Sequence, residues 1–227
     1  NWFGLNKPCK VDYSVQVPPE CRLKVNGVSC DITVQAFRLV KEKFPEAMLV
    51  MSGSGNIIDW GLTQNKDIAY FMTLIKHLGL EGSVYINTFS IDKEMPDLYR
   101  LADVVVYPSS SEEPFGLTML EAMASEKPII VSESGGMPEI IKNDINGYVV
   151  PKNNHEALAE KIIKLLGSAE LRAKLGRNGR ELTERMYTKQ IYAKNIVNAY
   201  QEAIDTYPAK GRKSRFSRRG MVSQDIS

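Results

Sequence analysis

Short apolar runs alternate with amphipathic stretches along most of the chain. Ala47–Met51, Ser83–Ile86, Val104–Tyr107, Ile129–Val131 and Tyr148–Val150 are mostly apolar, several of them rich in β-branched residues. At three to five residues each they are too short for helices and read as buried strands. Val11–Val17 alternates valine and tyrosine with Asp, Ser and Gln, the pattern of a strand with one polar face. Between these runs apolar residues recur at three and four. Asp31 is placed to cap a helix through Phe44 whose inner face is Ile32, Ala36, Phe37 and Val40. Asp67–His77 follows with Ile68, Phe71, Leu74 and Ile75 inward. Short helices are predicted at Lys93–Leu101, Leu117–Ala124 and Met137–Ile141, and Asn154 caps one that carries Leu158, Ile162, Leu165 and Leu166. Gly176–Arg180 reads as polar, with no element assigned. Thr188 caps a last helix with Ile191, Ile196, Ala199, Tyr200 and Ala203 on one side. Strands and helices in alternation predict an α/β fold.

The 227 residues suffice for one generous domain and fall short of two Rossmann-like ones. The chain opens on Asn1, which points to a processed or cut piece of a longer protein. Formal charge is +2, too balanced to imply a polyanion partner, and no nucleic acid is expected. The balance conceals an asymmetry: Lys210, Arg212, Lys213, Arg215, Arg218 and Arg219 all lie in the tail, and the body without them is mildly acidic. The expected division is therefore a domain over 1–207 and a basic, disordered tail over 208–227. Cys9, Cys21 and Cys30 are odd in number and lack metal-ligand spacing, which suits reduced thiols. No metal site is expected. No apolar run approaches the roughly 20 residues needed to span a bilayer. The expected location is cytoplasmic, with the basic tail able to make a weak, peripheral contact with an anionic membrane.

Asp103–Ile141 carries the chemistry. The predicted strand Val104–Tyr107 ends at Pro108 and three serines. A loop containing Glu113-Pro114-Phe115-Gly116 then opens the helix at Leu117, and Glu121 lies one turn further on. Strand, loop, helix, strand is the unit in which ligands bind beyond the carboxyl ends of the strands. Backbone N–H groups at a helix start have no intrahelical partner and attract an anion such as a phosphate. Gly116 allows close approach there. Two carboxylates beside the anion can accept hydrogen bonds from hydroxyls of a sugar or ribose. Gly53-Ser54-Gly55 also follows a strand, but the third glycine of a dinucleotide fingerprint would fall at Ile58, so that reading fails.

Glu113 and Glu121, with Ala102-Asp103-Val104, Pro108-Ser109 and Gly135-Gly136-x-Pro138-Glu139-Ile140 around them, resemble the E-x7-E signature of group 1 retaining glycosyltransferases. The resemblance runs from about Asp31 to about Tyr200. It implies a Rossmann-like, doubly wound parallel sheet, the C-terminal half of a GT-B enzyme. It further implies a nucleotide-diphosphate sugar donor, no cofactor and no required metal. By the same resemblance Glu113 is the catalytic carboxylate, meeting the donor sugar. Backbone N–H groups of Phe115, Gly116, Leu117 and Thr118 hold the diphosphate, Glu121 holds the ribose hydroxyls, and Arg22 stabilises the leaving phosphate. Such enzymes hold the acceptor on an N-terminal domain that this chain lacks, so the chain alone is expected to be inactive in transfer. The family's Arg is followed by a Lys-Gly pair. Here Arg22 and Gly27 stand one residue closer than expected, and Asn26 replaces the lysine. That departure keeps open a second reading, a nucleotide-sugar-binding module without turnover. A glycosidase using Glu113 and Glu121 as an acid/base pair is a third. It suits the site less well, because one carboxylate lies behind a helix start suited to phosphate.

Overall fold

The computed structural model describes residues 22–26, 30–52, 63–87 and 95–206. Six strands form one parallel sheet: β1 (Arg22–Asn26), β2 (Met48–Ser52), β3 (Val84–Asn87), β4 (Val104–Tyr107), β5 (Ile129–Ser132) and β6 (Gly147–Val150). Their spatial order is β3-β2-β1-β4-β5-β6. The chain winds outward from β1 in one direction, then returns to β4 and winds outward in the other. That reversal opens a crevice between β1 and β4 at the carboxyl edge of the sheet, where doubly wound folds bind ligands.

The helices are α1 (Cys30–Lys43), α2 (Thr63–His77), α3 (Met95–Leu101), α4 (Leu117–Ala124), α5 (Met137–Ile140), α6 (His155–Leu166), α7 (Ala169–Met186) and α8 (Lys189–Thr206). β4 and β5 are buried along their whole length, which explains why they read as continuous apolar runs rather than alternating ones. Their side chains serve both faces of the sheet. Val104, Val106 and Ile130 join Phe37 and Val40 of α1 and Leu158, Ile162 and Leu165 of α6 in one core. On the other side α4 and α5 pack on β5, and α3 packs on α4. Met119, Ala122, Met123 and Met137 are fully buried there. The expected fold class and the parallel, doubly wound sheet are thus present.

Most expected elements lie within a few residues of their observed bounds. Asp31 falls in the first turn of α1, where its charge complements the helix dipole. Asn154 caps α6 as expected, its Oδ1 accepting the Ala157 N–H at 2.8 Å. Three expectations need correction. Arg22–Asn26, to which the chain's pattern assigned no element, is β1, one of the two central strands. Val11–Val17, which was expected to be that strand, lies outside the described residues. Second, Gly176–Arg180 is not an elementless stretch but the middle of the 18-residue α7. Its glycines are packing residues: a Cβ on Gly176 would stand 2.1 Å from the carbonyl oxygen of Glu126, and one on Gly179 would stand 2.9 Å from Cγ of Met123. Third, α8 buries none of its residues, so its expected inner face is not covered among the described residues.

The chain divides into two compact units, 1–183 and 184–227. In the second unit Thr188 stands just before α8, and its Oγ1 accepts the Ile191 N–H at 3.3 Å. Tyr192, Tyr200 and Ile204 are each more than 60% exposed along it. The expected tail lies outside the described residues.

Candidate functional site

The site is built where β4 leaves the sheet. The strand ends at Tyr107, loop residues 108–116 follow, and the eight-residue α4 begins at Leu117. Gly116 stands at the N-cap with φ 76° and ψ 75°, in the left-handed region, and no side chain caps the helix. An L residue is strained in that conformation. A side chain there would also press on its neighbours: a Cβ would lie 3.3 Å from Cε1 of Tyr107, 3.4 Å from Cγ of Glu113 and 3.5 Å from Sδ of Met137. Glycine thus lets the helix begin directly beside Glu113.

Glu113 is held on three sides. Its Oε2 accepts from the Tyr107 hydroxyl at 3.0 Å. Its N–H donates to Ser134 Oγ at 3.1 Å, and its carbonyl accepts the Gly136 N–H at 3.2 Å. Ser134 in turn donates to the carbonyl of Ser111. Ser132 performs a matching role one residue pair earlier, its Oγ accepting the Ser109 N–H at 3.1 Å. Ser132 and Ser134 are 3% and 1% exposed, so their hydroxyls act away from competing water. The segment after β5 therefore clasps the loop after β4.

Gly135 is required by that clasp. Its φ is +49°, and a Cβ would stand 2.0 Å from the carbonyl oxygen of Glu113. A Cβ on Gly136 would stand 2.7 Å from that of Pro114. The Gly135 N–H donates to Glu112 Oε2 at 2.7 Å, and Lys152 pairs with the other oxygen of the same carboxylate. The Lys152 hydrogen bond, and then the Gly135 N–H, hold the Glu112 carboxyl below its ordinary range.

Glu121 lies one turn into α4, and its Oε2 accepts from the Tyr99 hydroxyl at 2.7 Å. Phe115 and Leu117 flank Gly116 and are 39% and 54% exposed. The structure thus brings together Glu113, Phe115, Gly116, Leu117, Thr118 and Glu121 on one loop and one helix start at the switch point. It does not bring Arg22 there. Leu23 pairs with Val104 and Val25 with Val106, so Arg22 precedes the amino end of β4. Gly116 follows its carboxyl end. Arg22 is separated from the helix start by the length of the sheet. Asn26, one position beyond the pairing of Val25 with Val106, stands at the carboxyl edge instead. Among the described residues, no group of three or more His, Cys, Asp or Glu side chains is placed to hold a metal ion.

Sequence reasoning missed the tyrosines and the serine clasp. Tyr99 and Glu121 are 22 positions apart, and Ser134 and Glu113 are 21 apart. No local periodicity reports such contacts. The only available signal was a polar-headed aromatic at the end of an otherwise aliphatic strand.

A doubly wound parallel sheet with an uncapped, glycine-opened helix and two supported carboxylates at its switch point defines a Rossmann-like domain suited to a phosphorylated, hydroxyl-rich ligand. The family comparison makes this specific. Residues 29–182 match the model of the glycosyl transferases group 1 family, and the chain belongs to that family. Among curated relatives it is 34% identical over 177 residues to spore coat protein SA of Bacillus subtilis, a match over 75% of this chain and 45% of that protein. The chain spans less than half the length of that relative. A solved structure of the C-terminal domain of a group 1 glycosyl transferase from Francisella tularensis superposes with a TM-score of 0.64 at 30% identity, covering 75% of this chain and 87% of that one. HepE of Anabaena, solved with UDP and glucose, superposes with a TM-score of 0.72 at 21% identity, over 82% of this chain and 49% of that one. The fold is that of the C-terminal half of a GT-B glycosyltransferase.

Proposed function

We propose that this chain is the donor-binding half of a retaining hexosyltransferase and holds a nucleoside-diphosphate sugar at the opening of α4. The observation that carries the reading is the left-handed Gly116 at the switch point, with Glu113 beside it and Glu121 one turn behind. In this reading the backbone N–H groups at Phe115–Thr118 meet the diphosphate, where the helix dipole favours negative charge. Glu121 accepts from the ribose hydroxyls. Glu113 meets the sugar and stabilises charge developing near its anomeric carbon. The acceptor hydroxyl comes from a domain outside this chain, as the resemblance to two-domain GT-B enzymes implies. Positioning alone can supply on the order of 7–11 kcal/mol of barrier reduction, so this chain by itself transfers no sugar.

Both glutamates stand in the chain with their supports in place, which favours a working enzyme over a module that has kept the fold and lost turnover. The family is one of transferases, so the glycosidase reading is set aside. No described helix is long and apolar enough to cross a membrane. A cytoplasmic location, with the basic tail touching an anionic membrane surface, goes with this reading.

Calorimetry against UDP, GDP, ADP and their glucose or mannose conjugates tests it. UDP is the first probe because HepE was solved with it. One nucleoside diphosphate should bind, and Glu121→Ala should weaken it roughly 10- to 100-fold, the loss expected for one charged hydrogen-bond partner. Equal affinity in parent and variant refutes the assignment of Glu121.

A further inference from the structure

Each of the two glutamates is tied, through one of its own carboxylate oxygens, to a tyrosine from a different element. Tyr99 belongs to α3 and is 2% exposed; its hydroxyl reaches Oε2 of Glu121 at 2.7 Å. Tyr107 ends β4 and is 9% exposed; its hydroxyl reaches Oε2 of Glu113 at 3.0 Å. Neither ring has room to swing. Tyr99 is among the largest fully buried side chains, and the Tyr107 ring edge lies against Gly116. A glutamate side chain has up to about 2 kcal/mol of rotamer entropy to lose on being fixed, and a donor of fixed position removes much of that freedom before any ligand arrives. An ionised carboxylate offers about four lone-pair sites, and one hydroxyl uses one of them. The others remain directed by the tether.

We propose that Tyr107 and Tyr99 are separate positioning residues: Tyr107 aims Glu113 at the sugar and Tyr99 aims Glu121 at the nucleoside. The inference rests on the donor-binding reading above. Its particular content is that the two tethers are independent. They come from different elements and serve different carboxylates. Each therefore governs recognition of one half of the donor. Neither tyrosine touches substrate in this scheme.

The test uses Tyr107→Phe and Tyr99→Phe in the full chain, since phenylalanine keeps the packed ring and removes only the donor. Both variants are titrated with UDP and with UDP-glucose. Tyr107→Phe should leave UDP affinity within roughly twofold and weaken UDP-glucose roughly 3- to 20-fold, the range of one lost hydrogen bond. Tyr99→Phe should weaken both ligands by the same factor. Tyr107→Phe should add nothing in a Glu113→Ala background, nor Tyr99→Phe in a Glu121→Ala background, where the acceptor of the tether is gone. Equal losses for both ligands in both variants, or full additivity with the glutamate changes, would overturn the proposal. A readout without ligand separates this idea from the one beneath it. Carbon-13 relaxation at the glutamate side chains should show Glu113 alone gaining mobility in Tyr107→Phe, and Glu121 alone in Tyr99→Phe. If the parent binds neither ligand, the UDP form of the donor reading fails. The relaxation result then still decides the tethers: unchanged order at both glutamates refutes them.

Discussion

Tyr107 sits where burial and a carboxylate both oppose ionisation. Burial acts most strongly, the hydrogen bond to Glu113 next and its charge last, and together they push the phenol from about 10 up to about 12. The hydroxyl is therefore a secure proton donor to Glu113 at any physiological pH. The sign of the stability effect follows from linkage. The folded state holds this proton more tightly than the unfolded chain, so the contribution is complete below pH 10 and is lost as pH rises towards about 12. Tyr107→Phe removes that dependence. Denaturant unfolding at stepped pH should show stability falling less steeply between pH 10 and 12 in the variant than in the parent. Identical slopes would show that Tyr107 ionises as an exposed phenol does. The same residue illustrates what the chain's pattern conceals. As the last letter of Val-Val-Val-Tyr it reads as strand, and it is strand. Its hydroxyl partner depends on where the following loop returns, which is fixed by Ser134 and Gly135 more than 20 positions later.

At the scale of elements, helix α7 makes the sharpest claim. Glycine inside a helix ordinarily costs about 1 kcal/mol relative to alanine, so Gly176→Ala would be expected to stabilise on propensity alone. Here the added methyl would meet backbone: Cβ at 2.1 Å from the Glu126 carbonyl oxygen and 3.4 Å from the Lys127 nitrogen. Backbone cannot turn aside as a side chain can. Gly176→Ala should therefore lower stability by about 1–3 kcal/mol, the usual range for overpacking. A raised melting temperature would mean that α7 is not seated on the turn after α4. This contact also explains why α7 escaped a reading by periodicity. Gly-Arg-Asn-Gly-Arg offers no apolar stripe, and its two glycines and asparagine are poor helix formers, so its fitness for a helix lies in what it packs against. By contrast β4 and α4 were legible to the residue. β4 is buried on every side chain, and α4 carries its apolar residues at helical spacing between a glycine start and a turn. Arg22 was misplaced for a related reason. The alternating run at Val11–Val17 looked more like a strand than Arg-Leu-Lys-Val-Asn does, and β1, with charged residues at alternate positions, does not announce itself as the centre of a sheet.

At the scale of the molecule, the strand order places the chemistry. Only at a switch point do two adjacent loops diverge to opposite faces and leave a crevice between them. Here that point lies between β1 and β4, and the loop from β4 to α4 borders it. The clasp from the β5–α5 segment, the glycine-opened helix and the two tyrosine tethers all support that one loop. The match to spore coat protein SA covers 45% of that protein, which accords with the half-site proposed above. The most direct test of the account is a crystal structure of the chain with UDP-glucose or, failing that, UDP. The account predicts diphosphate oxygens within hydrogen-bond distance of the first-turn N–H groups of α4, ribose hydroxyls on Glu121 and the glucose facing Glu113. A nucleotide bound with its diphosphate away from the opening of α4, or with its ribose out of reach of Glu121, would contradict it.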